Sequence, residues 1–381
     1  MSDVPYTRIS LVYFAYFAVV GALTPYWSLY LDHLGYTPAL IGVIVSIPML
    51  TKIIAPNIWG WVADKSGKRL LIARLGAAGS CLCFAGILLD QSTLWFVVCI
   101  AAYSFFWNAI HAQFEVVTLG YLKDKPEEYS HVRLWGSVGF IFVVVSLGLL
   151  FDFVSVKALP WFIFIFLAGI FFSTLSLPTR NDPPSTRSFS GFIDVLFTRR
   201  IIKFFLVLFL IQLTLGVYHG FFSIYMEGLG YNKSVIGLLW AAGAIAEILL
   251  FIKAPKFLKR YSLNTLLTVT LSVTLLRWVL TCWFAAYAPV IFLAQCMHAF
   301  SFGLTHVVAI EFVRREFGTG NQSQGQAFYN AVGFGAANAL GSLIGGLIFE
   351  FNGQWAFMFS ILVIFLSLIF HLWASKSPAN L

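Results

Sequence analysis

Charge is what this sequence has least of. Only 10% of its 381 residues are Asp, Glu, Lys or Arg, and the acidic residues number 16. Soluble domains carry about 25% charged residues. With 60% hydrophobic residues and a mean hydropathy of +0.86, this chain cannot cover a water-facing surface. That excludes an ordinary soluble protein and leaves an integral membrane protein. Cysteine is also scarce. All five (Cys81, Cys83, Cys99, Cys282, Cys296) fall inside apolar runs, where they read as small packing residues. Cys81 and Cys83 are two apart and point to different sides of a helix, which argues against a metal pair. No metal or organic cofactor is expected. No nucleophile–base pair stands out either, so an enzyme is not expected. A soluble signalling domain or long tail is not seen, which disfavours a receptor.

What the chain has is apolar length. Runs of about 20 residues, enough to cross a bilayer, lie near 9–31, 40–61, 70–89, 94–121, 133–151, 160–177, 202–226, 234–253, 264–286, 288–312, 325–349 and 355–374. The expected fold is an all-α membrane protein of twelve transmembrane helices. The expected boundaries are a six-helix bundle over 1–178, a linker over 179–200 rich in Pro, Ser and Arg, and a second six-helix bundle over 201–381. The first run is too long for a signal-peptide core and continues into a multispanning chain. Assigning the N-terminus to the cytoplasm puts about twenty of the 24 Lys and Arg residues in inside loops and flanks. Only Lys157 and Lys233 fall outside, and Lys52 and Arg277 fall within helices. Both termini are therefore expected in the cytoplasm. The net charge of +8 follows from this topology and is no sign of nucleic acid.

The chain repeats itself. "WSLYLDHLGYTPALIG" (27–42) and "FSIYMEGLGYNKSVIG" (222–237) align without gaps at an offset of 195, with seven of sixteen positions identical. Six spans per half give both copies the same orientation, so the repeat is parallel. Transporters with two such halves bind substrate between them near the midplane. The same offset pairs Lys52 with Glu247, opposite charges at one depth of the second helix in each half. Intramembrane charges are costly and functional by default.

Further polar residues gather in the spans. Asn108, His111 and Glu115 stand at i, i+3 and i+7 on one helix face, and Arg133 opens the next span, placed to pair with Glu115. Glu247 and Arg277 are each about 20 Å deep at 1.5 Å per residue, on adjacent antiparallel helices. His298 and His306 share a face of the tenth span. Gln212, His219 and Ser223 share one in the seventh. In the eleventh, Gly341 and Gly345, with Gly335 and Ala339, repeat at a spacing that lets helices approach closely.

Between the second and third spans, "GWVADKSGKRLLI" (60–72) contains G-x-x-x-D-x-x-G-[KR]-[KR] in Gly60, Asp64, Gly67, Lys68 and Arg69. This resembles the signature loop of the major facilitator superfamily and implies a gating role. Asp64 sits at a helix C-terminus, where the dipole disfavours negative charge, and so needs a partner. Glu115 and Arg133, in E-x₁₇-R with "RLWGSVGF", resemble the lactose permease branch. "VRLWGSVGF", "LWAAGAIAEILLF" and "LRW" resemble the bacterial 3-phenylpropionate permease family through nearly the whole chain. The resemblance implies that Glu115 and Arg133 bind substrate, that Arg277 and His298 match the arginine and histidine of helices 9 and 10, and that Glu247 matches the helix 8 acid. Ser301 stands where the lactose permease branch has a proton-carrying Glu.

The reading is a bacterial inner-membrane, monomeric symporter, driven by the proton gradient and importing a small organic solute by alternating access. The resemblance suggests an aromatic carboxylate such as 3-phenylpropionate. Lys52, Arg133 and Arg277 are placed to receive a carboxylate and Trp27, Trp107, Tyr16 and Tyr30 to face a ring, with Asn108 and His111 beside them. Glu247, with Arg277, His298 and His306, is the expected proton-coupling group. The alternatives are a sugar or nucleoside symporter and a drug/proton antiporter. The absence of Pro from 136–150 lowers the last.

Overall fold

A computed structural model of the chain describes residues 4–90, 92–123, 125, 128–179 and 196–375, except the side chains of 319 and 320. Residues 180–195 of the expected linker lie outside them.

Twelve helices among the described residues are long and apolar enough to cross a membrane. They are α1 (Tyr6–His33), α2 (Pro38–Ser66), α3 (Arg69–Leu88), α4 (Thr93–Tyr121), α5 (Tyr129–Phe151), α6 (Val156–Leu175), α7 (Arg199–Gly228), α8 (Lys233–Arg260), α9 (Leu263–Trp283), α10 (Ala288–Glu316), α11 (Asn321–Phe349) and α12 (Gly353–Ser375). Several outrun the apolar windows that announce them, because polar ends such as Arg8 and Asp32 carry no helix breaker and the backbone ladder continues through them. Leu82, Leu94 and Ile252 stand 70% or more exposed on helix surfaces. Apolar groups so placed suit contact with lipid.

Residue contacts divide the chain into two units, Met1–Gly35 with Ile47–Arg187, and Tyr36–Ser46 with Ser188–Leu381. In each, the first helix is the most enclosed: 61% of the apolar window of α1 and 78% of that of α7 is buried. Both helices end alike. Gly35 (φ 85°) and Gly230 (φ 90°), 195 residues apart, adopt the left-handed conformation that glycine alone takes without strain. Their amides donate to Asp32 O (2.8 Å) and Glu227 O (2.9 Å). The sequence repeat is thus a repeated turn.

Each unit also holds a close helix crossing. A Cβ built on Gly139 of α5 would lie 2.4 Å from Phe14 O of α1, and one on Gly341 of α11 would lie 1.9 Å from Leu213 O of α7. Gly345 faces Val217 and Phe221 of α7. The small-residue stripe of α11 therefore faces a helix.

Two irregularities have no counterpart in the sequence reading. Ala299–Leu304 in α10 and Asn330–Ala337 in α11 are π-helical. Such segments shift the register of side chains by one residue and occur often at functional sites.

Candidate functional site

In the first unit the polar residues of α4 meet α1, α2 and α5. Trp107 stacks on Tyr16 of α1, with centroids 4.2 Å apart and planes at 10°. The His111 ring lies 5.1 Å from Tyr16 and 5.9 Å from Phe17. Its Nε2 is buried and has no hydrogen-bond partner among the described residues. Asn108 Nδ2 donates to Thr51 Oγ1 (3.0 Å) and Ser104 O (2.9 Å), which ties α4 to α2 beside Lys52. Lys52 is exposed and has neither a hydrogen bond nor an ion pair among the described residues.

The expected pairing of Glu115 with Arg133 does not form. Tyr129, one turn before Arg133 on α5, donates its hydroxyl to Glu115 Oε1. The Arg133 guanidinium instead lies over the rings of Phe17 (4.2 Å) and Tyr13 (5.7 Å). Opposite charges on neighbouring helices fix a level but not a direction around each axis, and here a tyrosine occupies the shorter path. Trp27 is also displaced from the expected set. Only 6% exposed, it packs with Tyr30, Phe84 and Phe96, three turns of α1 away from Tyr16.

The second unit holds the other cluster. Glu247 lies nearest not to Arg277 but to His298, whose Nε2 is 3.9 Å from a carboxylate oxygen. The Glu247 side chain packs on Gly303, where a built Cβ would lie 3.2 Å from its Cγ. Gly303 belongs to the π-helical turn of α10, so the irregular turn and the carboxylate share one contact. Arg277 points elsewhere. Fully buried, it donates from Nε to Ala294 O (3.1 Å) and lies against the faces of Tyr218 (4.3 Å) and Trp278 (4.4 Å). Its two terminal nitrogens have no hydrogen-bond partner among the described residues. The expected Glu247–Arg277 pair is therefore replaced by a chain: Arg277 touches Tyr218, the Tyr218 ring lies 5.6 Å from His298, and His298 approaches Glu247. His306 lies one turn beyond Phe302 on α10, with Nδ1 at 3.3 Å from Tyr329 Oη.

Several members of this cluster were not read from the sequence. Tyr218 donates to Gln295 Oε1 (2.7 Å), and Asn338 joins Gln212 Oε1 (3.0 Å) to His219 Nδ1 (3.1 Å). Asn338 closes the π-helical segment of α11. An amide set in the Gly- and Ala-rich stretch 333–346 was the available signal.

At the α2–α3 turn, Asp64 and Arg69 form an ion pair, both side chains about one-eighth exposed. Arg69 Nη1 also donates to Gln113 Oε1 of α4 (2.8 Å). Gly67 takes φ 65°, its amide donating to Ala63 O at 2.9 Å. Lys68 opens α3 in solvent, and Gly60 meets no neighbour within 4 Å of a built Cβ. The partner that Asp64 needs is thus the last basic residue of its own motif.

Twelve membrane-capable helices, a duplicated helix turn and this loop define a transporter of the major facilitator class. The family described as MFS_1 like matches residues 6–359, and the chain belongs to it. It is a transporter, not an enzyme. Among curated relatives, a "Probable 3-phenylpropionic acid transporter" of Escherichia coli (strain K12) is 26% identical over 93% of this chain and 94% of its own length. A maltose permease of Geobacillus stearothermophilus is 28% identical over 90% of this chain and 88% of its own. The crystal structure of the nucleoside transporter NupG superposes with a TM-score of 0.87 at 17% identity, covering 98% of this chain and 99% of that one. At that identity the likeness concerns the fold.

Proposed function

We propose that this chain is a proton-coupled symporter of the bacterial inner membrane, both termini in the cytoplasm, importing a small aromatic carboxylate as a monomer. One observation carries the substrate class. Lys52 follows the Thr51 that holds Asn108, the α4 residue next to Trp107 in its stack with Tyr16, and Arg133 lies over Phe17 beside Tyr16. Neither cation has a carboxylate partner among the described residues. Glu115 of α4 is held by Tyr129. A ligand with one carboxylate and one ring would balance the charge and stack on the aromatic pair, with Asn108 and His111 fixing its orientation. Hydrogen bonds to a charged group contribute about 1.5–3 kcal/mol each. That is enough to separate an acid from its amide. The name of the Escherichia coli relative points the same way.

Glu247 on α8 loads the proton beside His298 of α10, with Arg277 on α9 and His306 on α10 completing the set. A second reading, symport of a sugar or nucleoside, is favoured by the amide and imidazole network of Gln212, Asn338 and His219, which suits hydroxyl groups, and by the names of the maltose and nucleoside relatives. Uptake of radiolabelled 3-phenylpropionate, its amide, maltose and uridine into proteoliposomes under an imposed pH gradient separates the two. Acid-selective accumulation supports the carboxylate reading. Accumulation of maltose or uridine alone replaces it.

A further inference from the structure

The second unit has a cavity of about 340 Å³ remote from Glu247 and Arg277, at the end of the unit where the last turns of α10 meet the first turns of α7 and α9. Its floor is apolar: Phe204 and Phe312, with rings stacked 3.6 Å apart, and Leu267 are each no more than 2% exposed. Its rim is polar, formed by Arg200, Ser262, Asn264 and Arg315.

The rim presents donors. Arg315 uses Nε on Glu311 (2.7 Å), and its two terminal nitrogens have no other partner among the described residues. Arg200 uses one terminal nitrogen on Glu316 (3.2 Å). Ser262 caps α9 by accepting from the Thr265 amide (3.1 Å). The preceding amides, of Leu263 and Asn264, have no acceptor within the helix. Asn264 accepts at Oδ1 from Ser375, which leaves its amide nitrogen as a further donor. The two acids nearby are both engaged, Glu311 by Arg314 and Arg315 and Glu316 by Arg200. The remaining donors converge on one small concave site with no carboxylate in its lining.

We infer that this cavity binds a phosphate group, whose oxygens the Arg200 and Arg315 forks and the opening amides of α9 are placed to hold. Guanidinium forks match phosphate geometry better than a point charge does. The phosphate has two sources, the headgroup of an acidic phospholipid or free inorganic phosphate. In both cases the site lies away from the polar clusters of the spans and would act on stability or on the mobility of α10.

The test uses the purified full chain in detergent, titrated with phosphatidylglycerol, phosphatidylcholine or inorganic phosphate. Bound lipid is read by native mass spectrometry and phosphate by thermal melting. For a lipid source, phosphatidylglycerol binds about tenfold tighter than phosphatidylcholine. Arg315→Gln and Arg200→Gln each remove that preference, whereas Arg314→Gln, whose arginine is outside the lining, keeps it. For a soluble source, the lipids bind equally and inorganic phosphate raises the melting temperature of the unaltered chain but not of Arg315→Gln. Should Arg200→Gln fail to fold for want of the Glu316 pair, Arg315→Gln decides alone, since Glu311 keeps Arg314. The inference is overturned if neither probe binds in a way that depends on Arg315, including a lipid preference that Arg315→Gln retains.

Discussion

A carboxylate at the centre of a bilayer costs about 2.5–3.5 kcal/mol on insertion scales, so each one needs a reason to persist. Glu115 has Tyr129; Glu247 has His298 and the glycine-lined turn beside it. Spacing along each helix grouped these residues on shared faces. It did not disclose which partner each would choose, because rotation about the helix axis depends on packing against tyrosines and glycines far away in sequence. Lys52 tests the substrate assignment. With its charge removed in Lys52→Met, the KM for an aromatic acid should rise by about tenfold or more while a neutral amide analogue is unaffected, as expected for a lost charge-assisted contact. Equal loss for both would make Lys52 a structural residue. Asp64 tests the gate. Asp64→Asn leaves Arg69 with only Gln113, so transport should slow by about tenfold or more with equilibrium binding within about twofold. Transport at the normal rate in this variant, at normal protein level, would remove Asp64 from gating.

Helices are where the sequence spoke most plainly, since apolar length and the positions of Gly35 and Gly230 follow from bilayer thickness and backbone sterics. The π-helical stretches of α10 and α11 were not legible, because a one-residue insertion in the hydrogen-bond ladder leaves no compositional trace in a mostly apolar run. They matter for the site: one carries Gly303 against Glu247, and the other ends at Asn338. The α7–α11 crossing offers a graded test. Gly341→Ala drives a methyl group against the Leu213 carbonyl, which is backbone and cannot turn aside. Overpacking of this kind costs about 1–3 kcal/mol or more, and should appear as a lowered melting temperature. Gly345→Ala meets only the Val217 and Phe221 side chains at 3.3 Å and should cost less than about 1 kcal/mol. Equal melting temperatures for the two variants would place the crossing elsewhere.

Taken as a whole, the chain is one bundle design used twice and then differentiated. The turns at Gly35 and Gly230 remain equivalent, as do the backbone-close crossings at Gly139 and Gly341. The charges do not. Lys52 and Glu247 occupy matching positions with opposite sign, and the α2–α3 loop keeps an Asp64–Arg69 pair whose counterpart, "KAPKFLKRYS" (253–262), has lost both Gly and Asp. Such asymmetry suits a machine in which one unit holds an anionic substrate and the other a proton. The measurement that bears most directly on this division is pH-gradient-driven uptake by Glu247→Gln in proteoliposomes, read beside exchange of labelled for unlabelled substrate with no gradient. Exchange needs the loaded site to reorient but no net release of a proton. Glu247→Gln should lose uphill accumulation and keep exchange. Uphill accumulation that survives with its pH dependence unchanged, or exchange that falls together with it, would contradict the account.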